Sequence, residues 1–165
     1  MADRLAIETV DLHKTYGGVE ALRGLNLDVP AGSIFGFLGQ NGAGKTTAIK
    51  ILLGMARPTG GSARVFGLDA AAQPSSVAIR ARTGFVSEDK DLLGHLSIDQ
   101  TIRFTSAFYR GWRRDQEQHF RTRFALPADR KVKDLSRGMR AKLALLLGLC
   151  RGADLLVLDE PTSGL

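Results

Sequence analysis

Hydrophobic positions along this 165-residue chain change period several times, and each change predicts an element. Residues 7–12 and 21–29 alternate apolar and polar side chains, the period of strands in an antiparallel sheet. Ile34, Phe35, Phe37 and Leu38 make residues 33–38 a nearly continuous apolar run, as expected of a strand buried on both faces. From Lys45 to Gly54 the period lengthens, and Ile49, Leu52 and Leu53 fall on one face of a helix. Residues 58–62 read as a turn into a short strand at 63–66, and residues 70–76 as a loop of small residues. Residues 84–87 read as another strand. Residues 97–109 and 113–124 read as helices, with Phe120 and Phe124 turned inward. Met139, Leu143, Leu146, Leu147 and Cys150 then repeat at helical spacing behind Ser136, which stands at the N-cap. Four apolar residues, 155–158, predict a final strand covered on both sides. Strands alternating with helices predict an α/β core that starts at Ser33, behind an antiparallel subdomain.

The junction at residue 39 carries the chemistry. Gly39-Gln40-Asn41-Gly42-Ala43-Gly44-Lys45-Thr46 fits G-x-x-x-x-G-K-[ST], a loop that wraps nucleotide phosphates in backbone N–H groups. Glycine lets the backbone bend tightly and approach an anion with no Cβ in the way. Opening a helix there turns free N–H groups and the positive end of the dipole toward the phosphates. Lys45 supplies a point charge for the β- and γ-phosphates, and Thr46 a hydroxyl for Mg²⁺. Asp159 and Glu160 stand where the 155–158 strand ends, the edge at which doubly wound sheets place ligands. Asp159 suits Mg²⁺, and Glu160 a general base for the attacking water.

The order of these motifs, with Leu135-Ser136-Arg137-Gly138-Met139 between them, resembles an ATP-binding cassette (ABC) ATPase domain over essentially the whole chain. The resemblance implies a P-loop NTPase core with an N-terminal antiparallel β subdomain and a helical insert at about 97–134. It also implies that Tyr16 stacks on adenine, that Thr47 joins the phosphate loop, and that Ser136 and Gly138 meet the γ-phosphate. Ser163, Gly164 and Leu165 match the start of the D-loop. Glu88 stands where the family usually has a glutamine that senses Mg²⁺ and the γ-phosphate, and a carboxylate there can still reach the metal. Arg137 and Met139 replace the usual glycine and glutamine of the signature. The family's domain continues into a strand with a switch histidine, and none of His13, His95 or His119 lies downstream of Asp159, so a domain incomplete at its C-terminus is expected. What the resemblance implies is an ATP-binding subunit that hydrolyses ATP·Mg²⁺ as a head-to-tail dimer and drives a separate membrane permease. Such a subunit is cytoplasmic and peripheral on the inner face of the membrane. A nucleotide-binding module with little hydrolysis is the alternative that Glu88 and the missing histidine favour.

Composition changes little. The single cysteine, Cys150, excludes an internal disulfide, and no run approaches the roughly 20 apolar residues of a membrane helix. Net charge of +6 gathers partly in Arg110, Arg113, Arg114, Arg121 and Arg123. A solvated helix, or a contact face for a permease or anionic lipid headgroups, accounts for that cluster, and with no recognised motif behind it nucleic acid is not expected.

Overall fold

The two alternating segments at the start of the chain pair as the pattern predicts. β1 (Leu5–Tyr16) and β2 (Val19–Pro30) form an antiparallel hairpin turned at Gly17 and Gly18, both at positive φ. β3 (Gly60–Val65) pairs with the other side of β1, and β4 (Leu68–Asp69) with β3, giving the order β2-β1-β3-β4. The computed structural model describes residues 4–89 and 92–161, and the chain divides into two compact units, 1–81 and 82–165. Ser163, Gly164 and Leu165, like Lys90 and Asp91, lie outside the described residues.

In the first unit one face of the sheet is covered. Ile7, Thr9, Leu12, Leu22, Val29, Ala63 and Val65 are buried, and α1 (Lys45–Leu52) contacts β2 and β3 with Ala48, Ile49, Ile51 and Leu52 buried. Two expectations fail here. Residues 33–38 form no strand, and Ile34 and Leu38 are almost wholly exposed. A strand needs a neighbour to share its hydrogen bonds, and none of the strands among the described residues pairs with this run. Residues 73–76, expected in a loop, open α2 (Gln73–Arg82). Its small polar residues carry no apolar period, yet Ser76 is buried with its hydroxyl donating to Gln73 O at 3.0 Å.

The second unit is built on β5 (Thr83–Val86) and β6 (Leu155–Leu158), which run parallel with Val86 opposite Leu158. Parallel strands need a long crossover. This one holds α3 (Ile98–Ser106), α4 (Arg114–Phe124) and α5 (Arg137–Cys150). Ile98, Ile102, Val132, Leu143, Leu146 and Cys150 form its dry centre, and Phe120 and Phe124 pack against it. α5 approaches β5 closely because residue 148 is glycine: a Cβ there would stand 2.7 Å from Val86 Cγ2. β6 is not covered on both sides as expected. Leu155, Leu156 and Val157 are half-buried and Leu158 is exposed, since β6 has a ladder on one side only among the described residues.

Candidate functional site

The glycine loop meets its expected geometry in the first unit. Gly42 (φ 82) and Gly44 (φ 88) occupy the left-handed region that side chains avoid, and Gly44 caps α1. Gly44 has a second reason to be glycine, because a Cβ would collide with the Ala21 carbonyl of β2 and stand 2.8 Å from Leu22 Cδ2. The loop therefore rests directly on the hairpin. Lys45 Nζ donates to Gly39 O (2.7 Å) and Gln40 O (3.0 Å), so its ammonium is held over the loop rather than out in solvent. Ala43 N donates to Gln40 O at 3.1 Å and closes the turn. No acidic residue stands in the first turn of α1, which leaves the positive dipole end uncancelled. α2 shares that feature without a glycine loop, so it permits anion binding and does not by itself indicate it.

Tyr16 ends β1 in the same unit. Its ring is half exposed and carries Lys14 Nζ 4.6 Å from the centroid.

In the second unit Glu88 and the acid pair follow the carboxyl ends of adjacent parallel strands. Asp159 N donates to Val86 O at 2.9 Å, which extends the ladder one step and pins Asp159 beside β5. Asp159 is buried, whereas Glu88 and Glu160 are exposed. Glu160 adopts φ 45, a left-handed conformation that costs a non-glycine residue roughly 1–2 kcal/mol. That strain is a signal no sequence pattern contained, and it sits at the residue expected to act as base.

Ser136 and Gly138 lie elsewhere in this unit. Ser136 caps α5 as expected, its hydroxyl accepting from Met139 N at 3.2 Å. A hydroxyl that accepts still has its own proton to donate. Along α5, Ser136 is about 18 Å from Gly148, the residue that touches Val86. Ser136 thus opens α5, and Gly148, the position packed against β5, lies near its other end.

The arginine cluster is partly internal. Arg121 is half-buried and donates to Asp99 at 2.9 Å and to Glu117 at 3.4 Å, tying α4 to α3. Arg110, Arg113, Arg114 and Arg123 remain exposed. Sequence reasoning missed the group at the centre of this knot: Glu117 is buried and accepts from Trp112 Nε1 at 2.7 Å. An acid five residues after a tryptophan in a basic helix was the available hint. Cys150 is no candidate for chemistry, since burial, reinforced by Glu117 and Asp115, pushes its thiol up to about 11. Among the described residues no helix is long and apolar enough to cross a membrane.

Comparison with known proteins agrees with the motif order. The model of the family described as ABC transporter matches residues 22–163. The daunorubicin/doxorubicin resistance ATP-binding protein DrrA of Streptomyces peucetius is 42% identical over 166 residues, covering 97% of this chain and 49% of that protein. The probable multidrug ABC transporter ATP-binding protein YbhF of Escherichia coli is 37% identical over 163 residues, covering 96% and 28% respectively. This chain thus spans half or less of the length of these two relatives. A bacterial Atm1-family ABC exporter solved with ATP bound has the same fold, with a TM-score of 0.82 and 26% identity, over 100% of this chain and 31% of that one. The α/β architecture with its antiparallel N-terminal sheet is that of an ABC ATPase cassette, and this chain belongs to the ABC transporter family.

Proposed function

We propose that this chain is the nucleotide-binding portion of an ABC transporter ATP-binding subunit, which binds and hydrolyses ATP and drives a separate membrane permease. The observation that carries this reading is the loop at residues 39–46, where two left-handed glycines open α1 and Lys45 is held over the loop carbonyls. The loop N–H groups of Gly39, Gln40, Asn41, Gly42, Ala43 and Gly44, with those of Thr46 and Thr47, take the β- and γ-phosphates while Lys45 adds its charge. Tyr16 stacks on the adenine. Mg²⁺ takes one or two carboxylates plus phosphate oxygens and water rather than an all-protein cage. The Thr46 hydroxyl and the Asp159 carboxylate, with Glu88 as a further oxygen, are a donor set of that sparse kind. When bound, the ion neutralises charge on the phosphate oxygens.

Glu160 takes a proton from water as its oxygen bonds to the γ-phosphorus. The bond from that phosphorus to the ADP oxygen breaks, leaving ADP and inorganic phosphate. Ser136 and Gly138 serve the γ-phosphate held by a second subunit in a head-to-tail dimer. Ser136 keeps its cap and donates its O–H, and the α5 N-terminus adds its dipole. The subunit works in the cytoplasm, against the inner membrane face, through its permease.

Nucleotide affinity and phosphate release, measured together, test the proposal. Lys45→Ala is expected to abolish ATP·Mg²⁺ uptake, and Glu160→Gln to keep uptake but stop release. Unchanged uptake in Lys45→Ala would defeat the reading. Tight uptake with no release in either the parent chain or Glu160→Gln would select the binding module without hydrolysis.

A further inference from the structure

Just after Thr9 and Val10, β1 carries one residue more than each strand beside it, and both extra counts fall at the same place. Toward β2 the pair Thr9↔Leu27 is followed by Leu12↔Leu25, and toward β3 Val10↔Ser62 is followed by His13↔Gly60. The surplus residue is Asp11, a non-glycine at φ 46. A bulge leaves an unpaired backbone group and reverses which side chains face inward beyond it. Both effects are visible. The Asp11 N–H is satisfied by Asn26 Oδ1 at 2.9 Å, and Asn26 Nδ2 is anchored on Gly24 O at 3.2 Å. Approaching the bulge, Ile7 and Thr9 are buried (with Ala6, beside the slip that follows Leu5), whereas after it the buried position is the even Leu12.

The even phase continues to Lys14 and Tyr16, which stay on one face, as the 4.6 Å ammonium-to-ring contact requires. Lys14 lies opposite Leu22, and Leu22 is the side chain against Gly44 of the glycine loop. Two further slips, at Gly24 and at Ala21, add their residues to β2 and leave the alternation of β1 from Leu12 to Tyr16 intact. The face bearing Tyr16 is therefore the face on which the loop rests. Without the surplus residue, Thr15 would point toward the loop and Tyr16 away from it.

We propose that the Asp11 bulge, clamped by Asn26, is the device that delivers Tyr16 to the loop side of the hairpin, making Asp11 and Asn26 positioning residues for the nucleotide base. The inference rests on the proposed function and deepens it. Its surroundings are built for the bulge and for no straight strand. Asp11 Oδ1 meets His13 Nε2 at 3.0 Å, a Cβ on Gly24 (φ 79) would stand 2.9 Å from the same carboxylate oxygen, and a Cβ on Gly61 (φ 71) would collide with the Asp11 carbonyl.

The test compares affinities for ATP and for inorganic tripolyphosphate, which has no base to stack. Tyr16→Ala, Asp11→Val, Asp11→Gly and Asn26→Leu are titrated calorimetrically with Mg²⁺ present, beside their melting temperatures. Base–aromatic stacking is worth enough that Tyr16→Ala weakens ATP about tenfold and leaves tripolyphosphate unchanged. Asp11→Val, whose branched side chain disfavours positive φ, and Asn26→Leu are expected to reproduce that selective loss, while Asp11→Gly retains parent affinity. If Asp11→Val and Asn26→Leu bind ATP as the parent does while Tyr16→Ala does not, the bulge inference is overturned and the proposed function stands. Equal losses for both ligands would also overturn it, since the bulge would then support the loop and not the ring. An unweakened Tyr16→Ala would remove the stacking role, and the inference with it.

Discussion

Replacing Glu117 with alanine should destabilise the second unit more than any exposed substitution on the same helix. The buried carboxylate accepts the Trp112 indole N–H at 2.7 Å and guanidinium N–H groups of Arg114 and Arg121, both at 3.4 Å. Arg121 retains Asp99 at 2.9 Å and Arg114 is exposed, so neither arginine is stranded. The indole N–H is different, because this interaction is its partner and the ring packs against the core. Losing a charge-assisted hydrogen bond costs about 1.5–3 kcal/mol, and an unmet buried donor adds about 1 kcal/mol or more. The expected penalty for Glu117→Ala is therefore about 3 kcal/mol. Glu117→Gln keeps an acceptor for the indole and loses only the charge, so about 1 kcal/mol is expected. Trp112 is the chain's single tryptophan, so its emission during urea unfolding reports this site directly. A native spectrum shifted to the red should accompany the alanine variant. Two variants with equal penalties, or an alanine variant within 0.5 kcal/mol (roughly the size of an ordinary surface change), would refute the reasoning.

Other consequences follow from the same geometry. Gly148→Val should destabilise by about 2 kcal/mol in thermal unfolding, because overpacking against Val86 outweighs what a side chain adds to helix propensity. Ser97→Ala removes the hydroxyl half of the capping box at the start of α3 and keeps the backbone N–H to Gln100 Oε1, and chemical denaturation should register a loss of about 1 kcal/mol. The raised Cys150 thiol holds its proton in the native state after the unfolded chain has lost its own, so stability present below pH 9 should decline as pH rises toward about 11. Comparing the parent with Cys150→Ala across that window isolates the effect, and parallel slopes would exclude it. Thiol reagent at pH 8 should find Cys150 unreactive until the protein unfolds.

Where an element is held by its own neighbours in sequence, its residues announced it. The alternation at 7–12 and 21–29 predicted the hairpin, and Ser97 and Ser136 marked two helix starts because a cap is a local bond. Residues 33–38 show the opposite case. Apolar character says that a run prefers burial, but a ladder depends on a partner strand that the run itself cannot supply. Residues 73–76 escaped because α2 begins without an apolar period and is held instead by Ser76 and by Arg80 reaching Leu53 O. At the candidate site, residue types and spacing exposed the glycine loop and the acid pair. They could not reveal Asp11, whose role lies in a backbone angle and in a register shared with two strands. Nor could they reveal Glu117, legible only once α4 is folded against the core.

If Glu160 is the base of the proposed mechanism, its left-handed turn sets stability and chemistry at odds. Glycine would relax that backbone at once, and asparagine would tolerate it better than a longer side chain does. Drift toward a sturdier fold therefore pushes this position toward residues that carry no carboxylate. Variants recovered by screening for heat resistance alone should accumulate changes here, and on the proposed mechanism they should emerge as well-folded proteins that hold nucleotide and fail to turn it over.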